Sequence, residues 1–181
     1  MKDREAYVLF GRYFILLLLG LFNLKLFYLV FNSLTVQPVF WVLSLIHDNA
    51  TLLEGNVIFF GGVYAQIISA CIAGAAYYLL LILNLSTPMS IKKRIKSIGF
   101  ILFTFLILNI ARILIFAVIA TSSGQEYFDL AHRLTWYFGS TFMVVAIWFF
   151  NVWLFKIKDI PVYTDIKNLY GEIVSGRRIK R

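Results

Sequence analysis

Long apolar runs separated by short polar stretches dominate the chain. Four runs, residues 10–31, 62–83, 98–120 and 134–155, reach the length of about 20 residues that a helix needs to cross a bilayer. A fifth, residues 36–46, is too short to cross. With Pro38 near its start and Trp41 within it, it suits a re-entrant or interfacial segment. Between the second and third runs lies a turn-rich piece, Ser86-Thr87-Pro88, followed by Lys92, Lys93, Arg94 and Lys96. A polar tail, residues 156–181, follows the fourth run and ends Arg177-Arg178-Ile179-Lys180-Arg181. The first run is too long for the core of a signal peptide and no small-residue cleavage pattern follows it, so it reads as a retained helix. No internal repeat or linker divides the chain. The expected fold is an all-α membrane protein: one transmembrane domain over residues 1–181, with about four spans and the short segment.

Composition sharpens this picture. Of 181 residues, 61% are hydrophobic and 14% charged, which excludes both a soluble globular domain and a disordered chain. The spans use up the length, so any chemistry must sit in the bilayer or at its surface. A net charge of +8 would suggest nucleic acid in a soluble protein. Here position accounts for it, because with four spans fourteen of the 17 Lys and Arg fall on the side shared by both termini and the middle loop. That bias marks this side as cytoplasmic, in a multi-pass protein of the cell membrane. Lipid is thus the expected surrounding and nucleic acid is set aside. A single cysteine and two histidines exclude an internal disulfide and leave too few ligands for a metal cage, and neither a metal nor a cofactor is expected.

The three remaining cations, Lys25, Arg112 and Arg133, break the pattern. Arg112 lies inside the third run, where burying a guanidinium costs about 2.5 to 3.5 kcal/mol, so it calls for a partner or a water-filled cavity. Asn109, three residues earlier, shares its helix face. Counting at about 1.5 Å per residue places Arg112 about 21 Å above the cytoplasmic face, and Cys71 on the second run at about 20 Å. The two residues share a level in the outer half of the membrane. Cys71 sits in a small-residue stretch, Ser69-Ala70-Cys71-Ile72-Ala73-Gly74, that permits close approach of another backbone. A cation a few ångströms from a thiol favours the reactive thiolate. On the outer side, Ser123-Gly124-Gln125-Glu126 has the form of a capping box, so a helix is expected to run through Asp129, His132 and Arg133 into the last span. On it Asp129 can orient His132 at three residues, or pair with Arg133 at four. His47, beside Asp48, reads as a surface residue. Each feature also has a structural reading: a buried free Cys packs as a small apolar side chain, an intramembrane Arg can tie to a neighbouring helix's carbonyls, and an interfacial His needs no function.

Taken together, Ala70-Cys71-Ile72-Ala73-Gly74, a basic cytoplasmic loop, Asn109-Ile110-Ala111-Arg112 and His132 at the head of the next helix resemble the exosortase/archaeosortase family of membrane-embedded cysteine transpeptidases. The resemblance covers roughly residues 55–155. It implies Cys71 as nucleophile, Arg112 as a second essential residue and His132 as a third, a position that some members fill with Arg; Asn109, Asp129 and Arg133 are expected in support from their helix spacing. It also implies substrates: exported proteins with a C-terminal motif, a transmembrane helix and a basic end, cleaved on the extracytoplasmic side and passed to an acceptor. Two departures are visible. Ile72-Ala73 stand where many members have Ser-Gly directly after the cysteine, and the chain lacks the extra spans of larger members.

The residue types suit amide cleavage independently, since it needs a nucleophile, an oxyanion stabiliser and an acid for the leaving amine. A purely hydrolytic intramembrane cysteine protease would use the same residues. The competing class is a non-catalytic membrane assembly factor or transporter subunit, in which Arg112 and Asn109 form a polar helix contact and Cys71 is packing.

Overall fold

The computed structural model describes residues 3–21, 24–122, 127 and 132–157. The chain begins with helices α1 (Asp3–Leu21) and α2 (Lys25–Ile46). Between them Leu24 takes the left-handed conformation (φ 59°) and its carbonyl accepts the N–H groups of Phe27 and Tyr28, starting a new helix. A left-handed L-residue cannot continue an α-helix. The apolar run expected as one span, 10–31, is therefore two helices. Segment 36–46 is not a separate re-entrant piece but the second half of the 22-residue α2. The helix carries through Pro38 because its buried stripe, Phe27, Phe31, Thr35, Val39 and Leu43, keeps the four-residue spacing of a packed face. In an apolar medium neighbouring helices make such a proline tolerable.

A departure from the all-α expectation follows. Strands β1 (Thr51–Leu53), β2 (Val57–Phe60) and β3 (Val63–Gln66) form a small antiparallel sheet in the order β1-β2-β3. Gly61 and Gly62 join β2 to β3 with positive φ at both positions (53° and 81°), as the tight hairpin turn matched to strand twist requires. Phe60 pairs with Val63, Ile58 with Ala65. Ile58 and Phe60 are buried beneath the sheet, whereas Phe59 and Tyr64 pack together on its other face. A Cβ at Gly61 would lie 3.0 Å from Thr121 and 3.1 Å from His47. The hairpin turn thus sits on the C-terminal end of α2 and the end of the long helix that follows. His47, expected at the surface, is half-buried with its ring against Phe60.

Helix α3 (Ser69–Ile72) is a single turn, and α4 (Gly74–Ser86) continues after left-handed Ala73. The expected span 62–83 thus starts as a strand and becomes helical only at Ser69. Tyr77 of α4, fully buried, stacks on Phe31 at 3.7 Å and meets Phe105 edge-on. Gly74 lets the Tyr28 ring approach to where a Cβ would stand 3.0 Å away. The Tyr78 hydroxyl donates to the Leu16 carbonyl, fastening α1 to α4. Helix α5 (Ile91–Ser122) runs the length of the molecule. After residues 132–134, a π-helical turn (Thr135–Gly139) leads into α6 (Ser140–Leu154). At the end remote from the sheet, Asn84 donates to Ser97 and Ser97 to Asn151, three fully buried side chains linking α4, α5 and α6. Arg94 closes that end by donating to the Asn84 and Thr87 carbonyls.

The molecule is mostly helical. Lys25–Ile46, Ser69–Ser86 and Ile91–Ser122 are long and apolar enough to span a membrane, and Ser140–Leu154 is a shorter apolar helix. Phe10, Leu29, Leu45, Phe103, Phe142, Phe149 and Trp153 all point outward. In water such a surface would be an aggregation liability, whereas lipid solvates it. The expected capping box at 123–126 and the tail from residue 158 lie outside the described residues.

Candidate functional site

A cavity of about 540 Å³ lies beneath the sheet. Its walls are α2 through Val39 and Leu43, the buried face of the hairpin through Ile58 and Phe60, and α5 through Phe116. Three further side chains in its lining carry chemistry: Cys71, Arg112 and His132.

The break at Ala73 builds the Cys71 corner. Cys71 N–H closes its own turn on the Ile68 carbonyl, and Ala73 N–H on that of Ser69. Beyond left-handed Ala73 the helix direction changes, so the Cys71 carbonyl lacks the partner four residues on that an unbroken helix would supply. Two side chains of α5 replace it. Asn109 Nδ2 donates to the Cys71 carbonyl at 2.9 Å and Arg112 Nη2 at 3.3 Å. Arg112 Nη1 donates to Ser140 Oγ at 2.8 Å. One guanidinium thereby joins α3, α5 and α6. Its Nε and the Oδ1 of Asn109 are buried without a hydrogen-bond partner among the described residues.

The Cys71 thiol is free and half-buried. His132, on the helical segment before the π turn, is itself exposed and lines the cavity with its ring edge-on to Phe116 at a centroid distance of 5.6 Å. Thr135, the first residue of the π turn, lines the cavity beside it. Arg133 is exposed and absent from the lining, and Asp129 lies outside the described residues. Among the described residues no three His, Cys, Asp or Glu side chains converge as a metal site would require.

Sequence reasoning missed two parts of this site. Ser140, the second anchor of Arg112, stands between Gly139 and Thr141, and small hydroxyl residues in an apolar run, available to a buried Arg on a neighbouring helix, were the signal to read. The hairpin roof was also readable, as Val57-Ile58-Phe59-Phe60 and Val63-Tyr64-Ala65 flank a Gly-Gly pair. Chemically, the arrangement offers a thiol, a cation with N–H donors left over and an imidazole around a largely apolar chamber. In comparisons with known proteins, the chain matches no family model, no curated protein and no solved structure.

Proposed function

We propose that this protein is a membrane-embedded cysteine transpeptidase of the exosortase/archaeosortase type, which cleaves the C-terminal sorting signal of exported proteins outside the cytoplasm. The observation that carries this reading is the convergence of Cys71, Arg112 and His132 on one cavity from three separate elements. The Cys71 thiolate attacks the scissile carbonyl carbon, and the resulting oxyanion is stabilised by guanidinium N–H groups of Arg112. His132 gives a proton to the leaving amine as the C–N bond breaks, leaving a thioester on Cys71. An acceptor amine, or water, then attacks that thioester, expels the thiolate and returns the proton to the imidazole. Asn109 is a positioning residue: its bond to the Cys71 carbonyl holds the turn that presents the thiol. Trapping tests this scheme. Full-length enzyme quenched in acid during turnover of a signal-bearing protein should carry that protein's mass on the Cys71 peptide, removable by hydroxylamine. Turnover without such an adduct would overturn it.

In the membrane we take α1 and α2 together as one crossing, α3 with α4 as the second, α5 as the third and residues 132–154 as the fourth. Both termini are then cytoplasmic and the cavity opens on the outer side, in keeping with the basic bias. Reporter fusions after Lys96 and after Arg181 should read cytoplasmic and one after Ser123 external. An external signal at Arg181 would refute the four-crossing arrangement.

One observation favours a second reading. Arg112 and Asn109 direct their bonds to a backbone carbonyl and a serine of the protein itself, as in the polar helix contact of a non-catalytic assembly factor or transporter subunit. Dependence on the Cys71 sulfur separates the two classes.

A further inference from the structure

Strand β3 is an edge. It pairs with β2 on one side, and among the described residues nothing hydrogen-bonds to the backbone of Val63–Gln66 on the other. Successive residues of a strand point to opposite faces, so a cavity lying under one face of a sheet touches every second residue. Here the cavity is lined by Val63, Tyr64, Ala65 and Gln66 in unbroken succession, and then by Ile67 and Ile68. A space that reaches the edge of the strand as well as its under-face meets all of them. In an antiparallel pair, alternate residues turn their N–H and C=O groups away from the partner strand. Every second residue of β3, Tyr64 and Gln66, therefore turns its N–H and C=O to that edge, where they have no backbone partner among the described residues.

We infer that an extended polypeptide segment adds to this edge as a fourth strand and is held there by its own backbone, its scissile carbonyl delivered to Cys71. The inference rests on the transpeptidase reading and names how that enzyme holds its substrate. Connectivity gives the delivery: β3 leads through Ile67 and Ile68 straight into the turn bearing Cys71, whose N–H bonds the Ile68 carbonyl at 2.9 Å. The added strand would direct alternate side chains under the sheet, among Ile58, Phe60, Leu43 and Phe116, and the others outward with Tyr64. Apolar residues at every second position are thus preferred, while sequence in between is free. The other edge, β1, contributes nothing to the cavity lining.

The test leaves the protein unaltered. Full-length enzyme in lipid nanodiscs is treated with a hexapeptide chloromethyl ketone of alternating Val and Ala, whose carbon takes the Cys71 sulfur as chloride departs. The rate of adduct formation at Cys71 is read by mass. The same peptide is then N-methylated at one amide at a time. Methylation should slow labelling about fivefold or more at every second position and by no more than about twofold at those between, since only alternate N–H groups face β3. A flat scan with labelling retained would overturn strand addition and leave the thiol chemistry standing. Equal labelling by decanoyl chloromethyl ketone, which has no amides, would assign the chamber to an acyl chain and overturn it likewise. The transpeptidase reading fails separately, if processing in cells survives loss of the Cys71 sulfur.

Discussion

Cys71→Ser is expected to lower processing of a signal-bearing exported protein by at least about a thousandfold, because the serine hydroxyl is a far weaker nucleophile without a base aligned to it. The substitution is almost isosteric at a half-buried position, and the hydrogen bonds that shape the corner run through the Cys71 backbone rather than its side chain. Folding and membrane content should therefore remain at wild-type levels, so the loss reads chemistry and not stability. The measurement is the mass of the exported protein's C-terminus in cells carrying wild-type, Cys71→Ser or Cys71→Ala enzyme, with monodisperse extraction in detergent as the folding control. An assembly factor would tolerate both replacements. Wild-type processing by Cys71→Ser would thus remove the enzyme reading and leave the polar-contact one.

The polar exceptions inside apolar runs were what the sequence displayed best. Arg112 and Asn109 stand out because a bilayer makes every buried charge conspicuous. Their common depth with Cys71 could be counted because helix rise is constant. The interruptions were harder to see. Leu24 is an apolar residue in an apolar run, and its left-handed conformation has no compositional mark beyond the neighbouring Asn23 and Gly20. The hairpin merges in hydropathy with the span that follows it, so a length criterion absorbs β3 into a helix even though Gly61-Gly62 marks the turn. Ala73 likewise hides a left-handed break inside a helix-favouring stretch. That break matters most to the site, since it frees the Cys71 carbonyl that Asn109 and Arg112 then bind. Periodicity reports which faces are apolar. It is blind to one-residue changes of backbone handedness, and these set the direction of the thiol and the roof above it.

Arg112→Lys should be the second most damaging change, although it keeps the charge. The guanidinium spans two anchors at once, Ser140 through Nη1 and the Cys71 carbonyl through Nη2, a planar fork that a lysine ammonium cannot reproduce. Loss of a donor to a developing oxyanion costs about a hundredfold to a thousandfold in rate, so acylation of Cys71 in Arg112→Lys should fall by about a hundredfold or more. Ser140→Ala offers the contrast, because it removes one anchor and leaves the guanidinium its bond to Cys71. It should cost about tenfold, the lower end of what the loss of a single hydrogen bond to a charged group costs. Acylation rate per folded molecule, measured beside thermal stability, separates this from a structural role. If Arg112 only ties helices together, Arg112→Lys would lower the stability of the protein while the folded fraction acylated at the wild-type rate. A rate that falls per folded molecule is the signature of a guanidinium acting on the substrate oxygen.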